Sequence, residues 1–234
     1  MGERRVAIVT GGASGMGRAT ADLLRERDVV VEVFDVQGDG PRVDVSDEAA
    51  VGAAVAGVIA RHGRLDILVN CAGIGVGAAP DAPDYVATWE RAMAVNLTGL
   101  MYVCRAAIPH LVASGAGRIV NVASTEALGA QLRTGPYAVS KHGVVGYTRT
   151  LAVDLGRRGV TTNCVCPGPI LTGMTEAIPE ERRAAFARRA TPVGRYGTAD
   201  EVAHVIVALT DPAASYVNGA VIPVDGGMTA MSHL

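Results

Sequence analysis

Short runs of apolar, largely β-branched residues recur along the chain: RVAIVT (5–10), VVVEVFD (29–35), LDILVN (65–70), GRIVNVAS (117–124), VTTNCVCP (160–167) and AVIPVD (220–225). Most are near-continuous in hydrophobicity, the pattern of strands covered on both faces. Between them lie longer segments with helical spacing, such as EAAVGAAVAGVIARHG (48–63). Strand alternating with helix predicts an α/β fold built on one doubly wound parallel sheet, with helices on both faces. No repeat, low-complexity tract or linker interrupts the pattern, and 234 residues suit a single domain spanning 1–234. The longest irregular pieces, 77–83 and 168–179, follow strand ends, where open α/β sheets bind ligands.

Composition narrows the function classes. Lys and Arg number 21 against 23 Asp and Glu, a formal net charge of -2, so there is no electrostatic footprint for nucleic acid or an acidic membrane. A small-molecule partner is expected instead. Cys71, Cys104, Cys164 and Cys166 form no CxxC pair and lie in apolar stretches, as reduced packing residues do. The five histidines are scattered without ligand spacing, so no metal is expected. MGERRVAIVT lacks a charged-then-apolar leader, and no apolar run reaches membrane-spanning length, so a cytoplasmic location is expected. The terminal SHL loosely resembles a peroxisomal address, but three residues match easily by chance.

The first strand runs directly into TGGASGMGRA (10–19). A turn from strand into helix that must also receive a pyrophosphate needs glycine at three places: for the turn, for backbone approach and for helix–strand packing. Gly11, Gly15 and Gly17 meet that need, although a ligand-free tight turn would use glycine as well. Asp35 ends the second strand, close to the offset of about 20 residues at which a carboxylate accepts the adenosine ribose hydroxyls. That points to a Rossmann fold and to NAD. A 2′-phosphate would meet like charge at Asp35, and Val36 offers no cation. NADP is the less favoured alternative, argued only by Arg18, which on the first helical turn is expected to face solvent or an acid.

Tyr137 and Lys141, in YAVSK, stand four apart and so share one helix face. A free phenol titrates near 10, too high for efficient proton exchange at neutral pH, and a neighbouring ammonium favours the phenolate. The pair reads as a general acid/base. Ser124 ends a strand, where its hydroxyl can hold a carbonyl oxygen, and Asn96, in VNLTG on another helix, can anchor a water beside Lys141.

Together these residues make the chain resemble the short-chain dehydrogenase/reductase family over nearly its whole length. TGGASGMG matches the family's TGxxxGxG, NCAG (70–73) its NNAG, and YAVSK its YxxxK thirteen residues past Ser124; NCVCPGPILTGM (163–174) and YVNGAVIPVDGG (216–227) match its later stretches. The resemblance implies a catalytic tetrad of Asn96, Ser124, Tyr137 and Lys141, moving hydride between NAD and a secondary alcohol or its ketone. It implies a cofactor cradle of Gly11, Ser14, Gly15, Met16 and Gly17 with Asp35. Asp44 and Val45 would meet the adenine, Asn70, Ala72 and Gly73 the nicotinamide side together with Tyr137 and Lys141. Pro167, Gly168, Ile170 and Thr172 would complete it, the last two at the carboxamide. Two departures stand out: Cys71 where the family commonly has asparagine, and a link from Asp35 to RVDV (42–45) too short for the usual helix.

Two other readings remain. One is a dinucleotide-sensing binding protein without turnover, which has no reason to keep the tetrad. The other is a lyase or epimerase that uses the cofactor transiently. The pocket segments STEALGAQLRTGP (124–136) and PILTGMTEAIPEERRAAFARRA (169–190) offer Glu126, Gln131 and Arg133; Arg133 reads as a solvated loop residue or a clamp for a carboxylate or phosphate. Trp89 reads as a core or interface anchor. The helices of Asn96 and Tyr137 carry more apolar positions than one face buries, and by resemblance the chain forms a homo-oligomer, a tetramer or a dimer.

Overall fold

The computed structural model describes residues 4–231 apart from Asp39, so the terminal SHL lies outside the described residues. The chain starts β1 (Val6–Thr10), α1 (Gly15–Glu26), β2 (Val30–Phe34), α2 (Glu48–His62) and β3 (Ile67–Asn70). A continuous helical stretch then carries α3 (Tyr85–Met93), a π-helical turn (Ala94–Gly99) and α4 (Leu100–Ala113). The second half holds β4 (Arg118–Val122), α5 (Gly135–Leu155), β5 (Thr161–Pro167), β6 (Ile170–Leu171), α6 (Gly173–Glu176), α7 (Glu180–Ala190), β7 (Gly197–Thr198), α8 (Ala199–Thr210) and β8 (Val221–Val224).

Six strands form one all-parallel sheet in the order β2-β1-β3-β4-β5-β8, and each matches one of the six apolar runs. Side chains alternate between two cores. Val6 and Ile8 of β1 face a layer formed by α2, α4 and α5, whereas Ala7 and Val9 face α1 and α8. This explains the continuous hydrophobicity: each strand needs apolar residues at both parities, and fully burying one Val, Leu or Ile contributes about 1.5–3 kcal/mol. The fold is therefore Rossmann-like. Its order reverses between β1 and β3, which opens a crevice at their carboxyl ends, beyond Thr10 and Asn70.

Local chemistry sets the helix ends. Asp47 caps α2 by accepting from the N–H groups of Ala49 (2.9 Å) and Ala50 (3.0 Å), and Gly63 ends it at φ +70°. The stretch Tyr85–Ala113 has the length and apolar composition of a membrane-crossing helix. In this fold its first part lies on α5 and its second on α2 and β3.

The structure gives detail to three points of the sequence pattern. Residues 168–179 are not wholly irregular, since they contain β6, which pairs with β7 in a separate two-stranded sheet, and α6. Among the described residues the link after β2 holds no helix, and an isolated parallel bridge joins Asp35 to Arg42. Arg18 is turned onto Asp22 at 3.7 Å. Burial pushes the Cys104 thiol up to about 12 against the pull of the Asn70 amide, which keeps it protonated and inert.

On β2, Glu32 holds the end of α2 through His62 (2.7 Å) and Arg61 (3.0 Å). Burial pushes its carboxyl up, but the hydrogen bonds from His62 and Arg61 outweigh that and hold it below its ordinary value. A lowered folded value adds stability above the ordinary carboxyl range and loses it as pH falls through the folded value. Glu32→Gln is therefore expected to lose roughly 0.5–1 kcal/mol at pH 7. Urea unfolding of the two proteins should converge as pH falls below the ordinary carboxyl range and through the folded value.

Candidate active site at the carboxyl ends of the strands

The turn after β1 is made by glycine for steric reasons. Gly11 lies at φ +66°, donates its N–H to the Phe34 carbonyl (2.8 Å), and leaves no room for a Cβ, which would stand 2.8 Å from the Ala72 backbone. A Cβ on Gly17 would overlap the Gly11 carbonyl, so α1 approaches the turn as closely as backbone allows. Gly15 lies at φ +52° beside the Thr172 methyl, which brings the loops after β1 and β5 together. Ser14 occupies the N-cap of α1 in extended conformation without capping it, so among the described residues the first-turn N–H groups, among them Met16, have no side-chain acceptor. Such a terminus favours an anion.

Asp35 borders this turn. One carboxylate oxygen accepts from Ala13 N–H and the other from Gln37 N–H, both at 3.0 Å, which fixes the group and leaves lone pairs on each oxygen. Asp44 is exposed and accepts from the N–H (2.9 Å) and hydroxyl (2.7 Å) of Ser46, bonds that hold its carboxyl below the ordinary value. Val45 is buried, its carbonyl 2.8 Å from where a Cβ on Gly99 would stand.

Across the crevice, Lys141 is buried and donates to the carbonyl of Val122 at 2.9 Å. Its Nζ is 5.7 Å from the centre of the Tyr137 ring, one helical turn away. That bond ties α5 to the end of β4, two residues before Ser124, and the turn that Ser124 opens packs against α5. A Cβ on Gly73 would stand 3.3 Å from Lys141 Nζ and 3.2 Å from Asn96 Oδ1, so Gly73, Asn96 and Lys141 converge. Asn96 sits on the π-helical turn, accepts from Ile74 N–H (2.8 Å), and donates to the Ile74 carbonyl (3.0 Å) and Ser140 Oγ (3.1 Å). Ala72 N–H donates to Thr10 Oγ1 at 3.1 Å.

Other expected residues are placed as follows. Asn70 stands at the end of β3, but its side chain turns into the core, donating to Asn121 Oδ1 (2.8 Å) and Cys104 Sγ (3.3 Å). Pro167 ends β5, and Gly168 donates to the Val224 carbonyl (3.0 Å), with Asp225 too close for any Cβ. Ile170 is buried in β6, and Thr172 caps α6 in a reciprocal pair with Thr175. Arg133 is exposed at φ +64°, its carbonyl pressed on Gly77. Trp89 is half-buried with its ring 6.4 Å from Tyr85.

Comparison with known proteins settles the family. A family profile described as enoyl-(acyl carrier protein) reductase matches residues 11–229. The chain is 39% identical to cis-4-hydroxycyclohexanecarboxylate dehydrogenase of Sinomonas cyclohexanicum, over 99% of this chain and 100% of that one. It belongs to the short-chain dehydrogenase/reductase family. Among solved structures of such folds, levodione reductase superimposes with a TM-score of 0.91 at 35% identity, covering 97% of this chain and 98% of that one. The aldohexose dehydrogenase of Thermoplasma acidophilum gives 0.93 at 28%, covering 99% and 96%.

Membership of the short-chain dehydrogenases/reductases makes this an oxidoreductase fold that uses NAD(P)(H) on a small-molecule substrate. The crevice fits a dinucleotide: glycine where a Cβ would block it, an uncapped helix start for phosphate, and a fixed carboxylate beside it. Three neighbours escaped the sequence reading. Ser140 lies inside YAVSK, three residues past Tyr137, so helical spacing could have found it. Arg42, across the bridge from Asp35, and Thr134, beside Glu126, carried no sequence signal.

Gly17→Ala places a methyl where the Gly11 carbonyl already stands. It is expected to weaken dinucleotide binding about tenfold or more and to lower the melting temperature, both measurable by thermal shift with and without NADH.

Proposed function

We propose that the protein is an NAD-dependent dehydrogenase/reductase acting on a secondary alcohol or its ketone. The observation that carries this reading is the buried Lys141 ammonium, held by Val122 one turn from the Tyr137 ring and against Gly73 and Asn96. The relative from Sinomonas cyclohexanicum, named for a ring bearing a hydroxyl, supports a secondary carbinol as the reacting group.

The bound dinucleotide supplies or accepts the hydride. Tyr137 moves the proton at the substrate oxygen, taking it from the alcohol in oxidation and returning it in reduction. Lys141 favours the phenolate electrostatically and offers its remaining N–H donors to the nicotinamide ribose. Ser124 donates to the substrate oxygen: its Oγ already accepts from Glu126 N–H at 3.2 Å, which leaves the hydroxyl proton free to point outward. Asn96 holds the loop after β3 through Ile74 and keeps Gly73 against Lys141. Asp35 receives the adenosine ribose hydroxyls and disfavours a 2′-phosphate. The exposed apolar residues Val139 and Val153 on α5 support assembly into a homo-oligomer.

A panel of secondary alcohols scanned for absorbance of reduced nicotinamide tests the activity. Net NADH appearance separates a dehydrogenase from a lyase or epimerase, and absence of turnover across the panel leaves the sensor reading. Tyr137→Phe is expected to keep NAD binding within about threefold while turnover falls by about 10²–10⁴; a near-normal rate removes the phenol from its role. Asp35→Ala should weaken NAD and narrow its margin over NADP. Arg42 is the cation that would favour NADP, so a wild-type preference for NADP overturns the cofactor assignment.

A further inference from the structure

One buried carboxylate is not used by the proposed chemistry. Glu126 is 7% exposed, in the 3₁₀ turn Thr125–Ala127 that begins at Ser124. Among the described residues no basic side chain pairs with it. Its Oε2 instead accepts from Thr134 Oγ1 at 2.7 Å and from Gln131 N–H at 3.1 Å. Its own N–H donates to Ser124 Oγ at 3.2 Å.

Each partner leads to a reacting group. Thr134 stands immediately before α5, and its carbonyl accepts from Ala138 N–H at 2.7 Å, which opens the helix of Tyr137 and Lys141. The Thr134 hydroxyl has one proton and two acceptors in reach, Glu126 Oε2 at 2.7 Å and the Gln131 carbonyl at 2.8 Å. The Glu126 oxygen is the nearer acceptor. Its side chain therefore faces back to Glu126 and gives α5 no cap. Glu126 thus touches the Ser124 hydroxyl at one end and the threonine that launches α5 at the other. In the segment between them Ala127 packs into the core, whereas Leu132, two residues before Thr134, is 95% exposed and holds nothing by apolar packing.

We propose that Glu126 is a positioning residue: by clamping Thr134 and Gln131 it fixes the loop between Ser124 and α5, and with it the placement of the Ser124 hydroxyl relative to the Tyr137 phenol. The proposal rests on the reaction assigned above. Misplacement of reacting groups by a fraction of an ångström to 1 Å lowers the rate of the chemical step up to about a hundredfold. Ground-state affinity for the dinucleotide, which the glycine turn and Asp35 hold, is untouched.

The test uses the full-length protein with NAD and the best alcohol of the panel. Glu126→Ala and Thr134→Val, which cut the same link from opposite ends, are each expected to lower kcat about tenfold or more, with KM and the NADH dissociation constant within about threefold. The double variant should be no slower than the slower single one. Glu126→Gln keeps an acceptor oxygen at the same reach and should recover kcat to within about threefold of wild type. The proposal is overturned if Glu126→Ala stays within about twofold of wild type, or if Glu126→Gln is as slow as Glu126→Ala. It is overturned equally if kcat, NADH affinity and melting temperature fall together in both single variants, the mark of a merely structural role. If wild type oxidises no alcohol of the panel, the assigned reaction fails and the positioning role fails with it. Active wild type with unaffected variants removes the positioning role alone.

Discussion

An ammonium taken out of water needs acceptors, and the bond from Lys141 to the Val122 carbonyl provides one where the sheet has an open strand end. A carbonyl in the middle of the ladder would already be paired with a neighbouring strand. The bond sets where α5 lies along the sheet, and so which of its residues face the crevice. It also decides what can stand opposite: a side chain at position 73 would crowd Lys141 Nζ and Asn96 Oδ1 together.

A second set of polar contacts supports this from within the core. Asn70 bonds to Asn121, Asn121 donates to Thr148 at 3.0 Å, and Thr148 returns its proton to the Val144 carbonyl at 2.8 Å. The chain of bonds runs from β3 through β4 into α5, all of it buried. Amides placed inside a hydrophobic layer are costly unless matched in geometry, so they allow fewer ways for helix and sheet to slide than aliphatic packing would. Asn96 plays the same part on the other helix, joining the loop after β3 to Ser140 on α5.

All six strands of the main sheet were legible because strands covered on both faces need apolar residues at every position, a signal that survives without context. Tyr137 and Lys141 were legible because helical spacing alone puts them on one face. Roles that depend on which loop crosses which were not. Glu126 gains its partners from a turn whose path no periodicity encodes, and Arg42 reaches Asp35 through a bridge rather than a recognisable strand. Asn70 shows what a motif leaves open: it marks the strand end at the crevice, and strand parity decides that the side chain turns inward. The β6–β7 pair, two residues on each side, is shorter than any pattern can mark.

The wide turn at residues 94–99 has a geometric effect beyond carrying Asn96. Each residue of an α-helix advances the side-chain direction by about 100°, so widening one turn by a residue rotates everything upstream relative to everything downstream. One unbroken rod thereby points its oily side in two directions, toward α5 before the turn and toward α2 and β3 after it. A regular helix of the same length would offer a single stripe to both neighbours and satisfy only one of them.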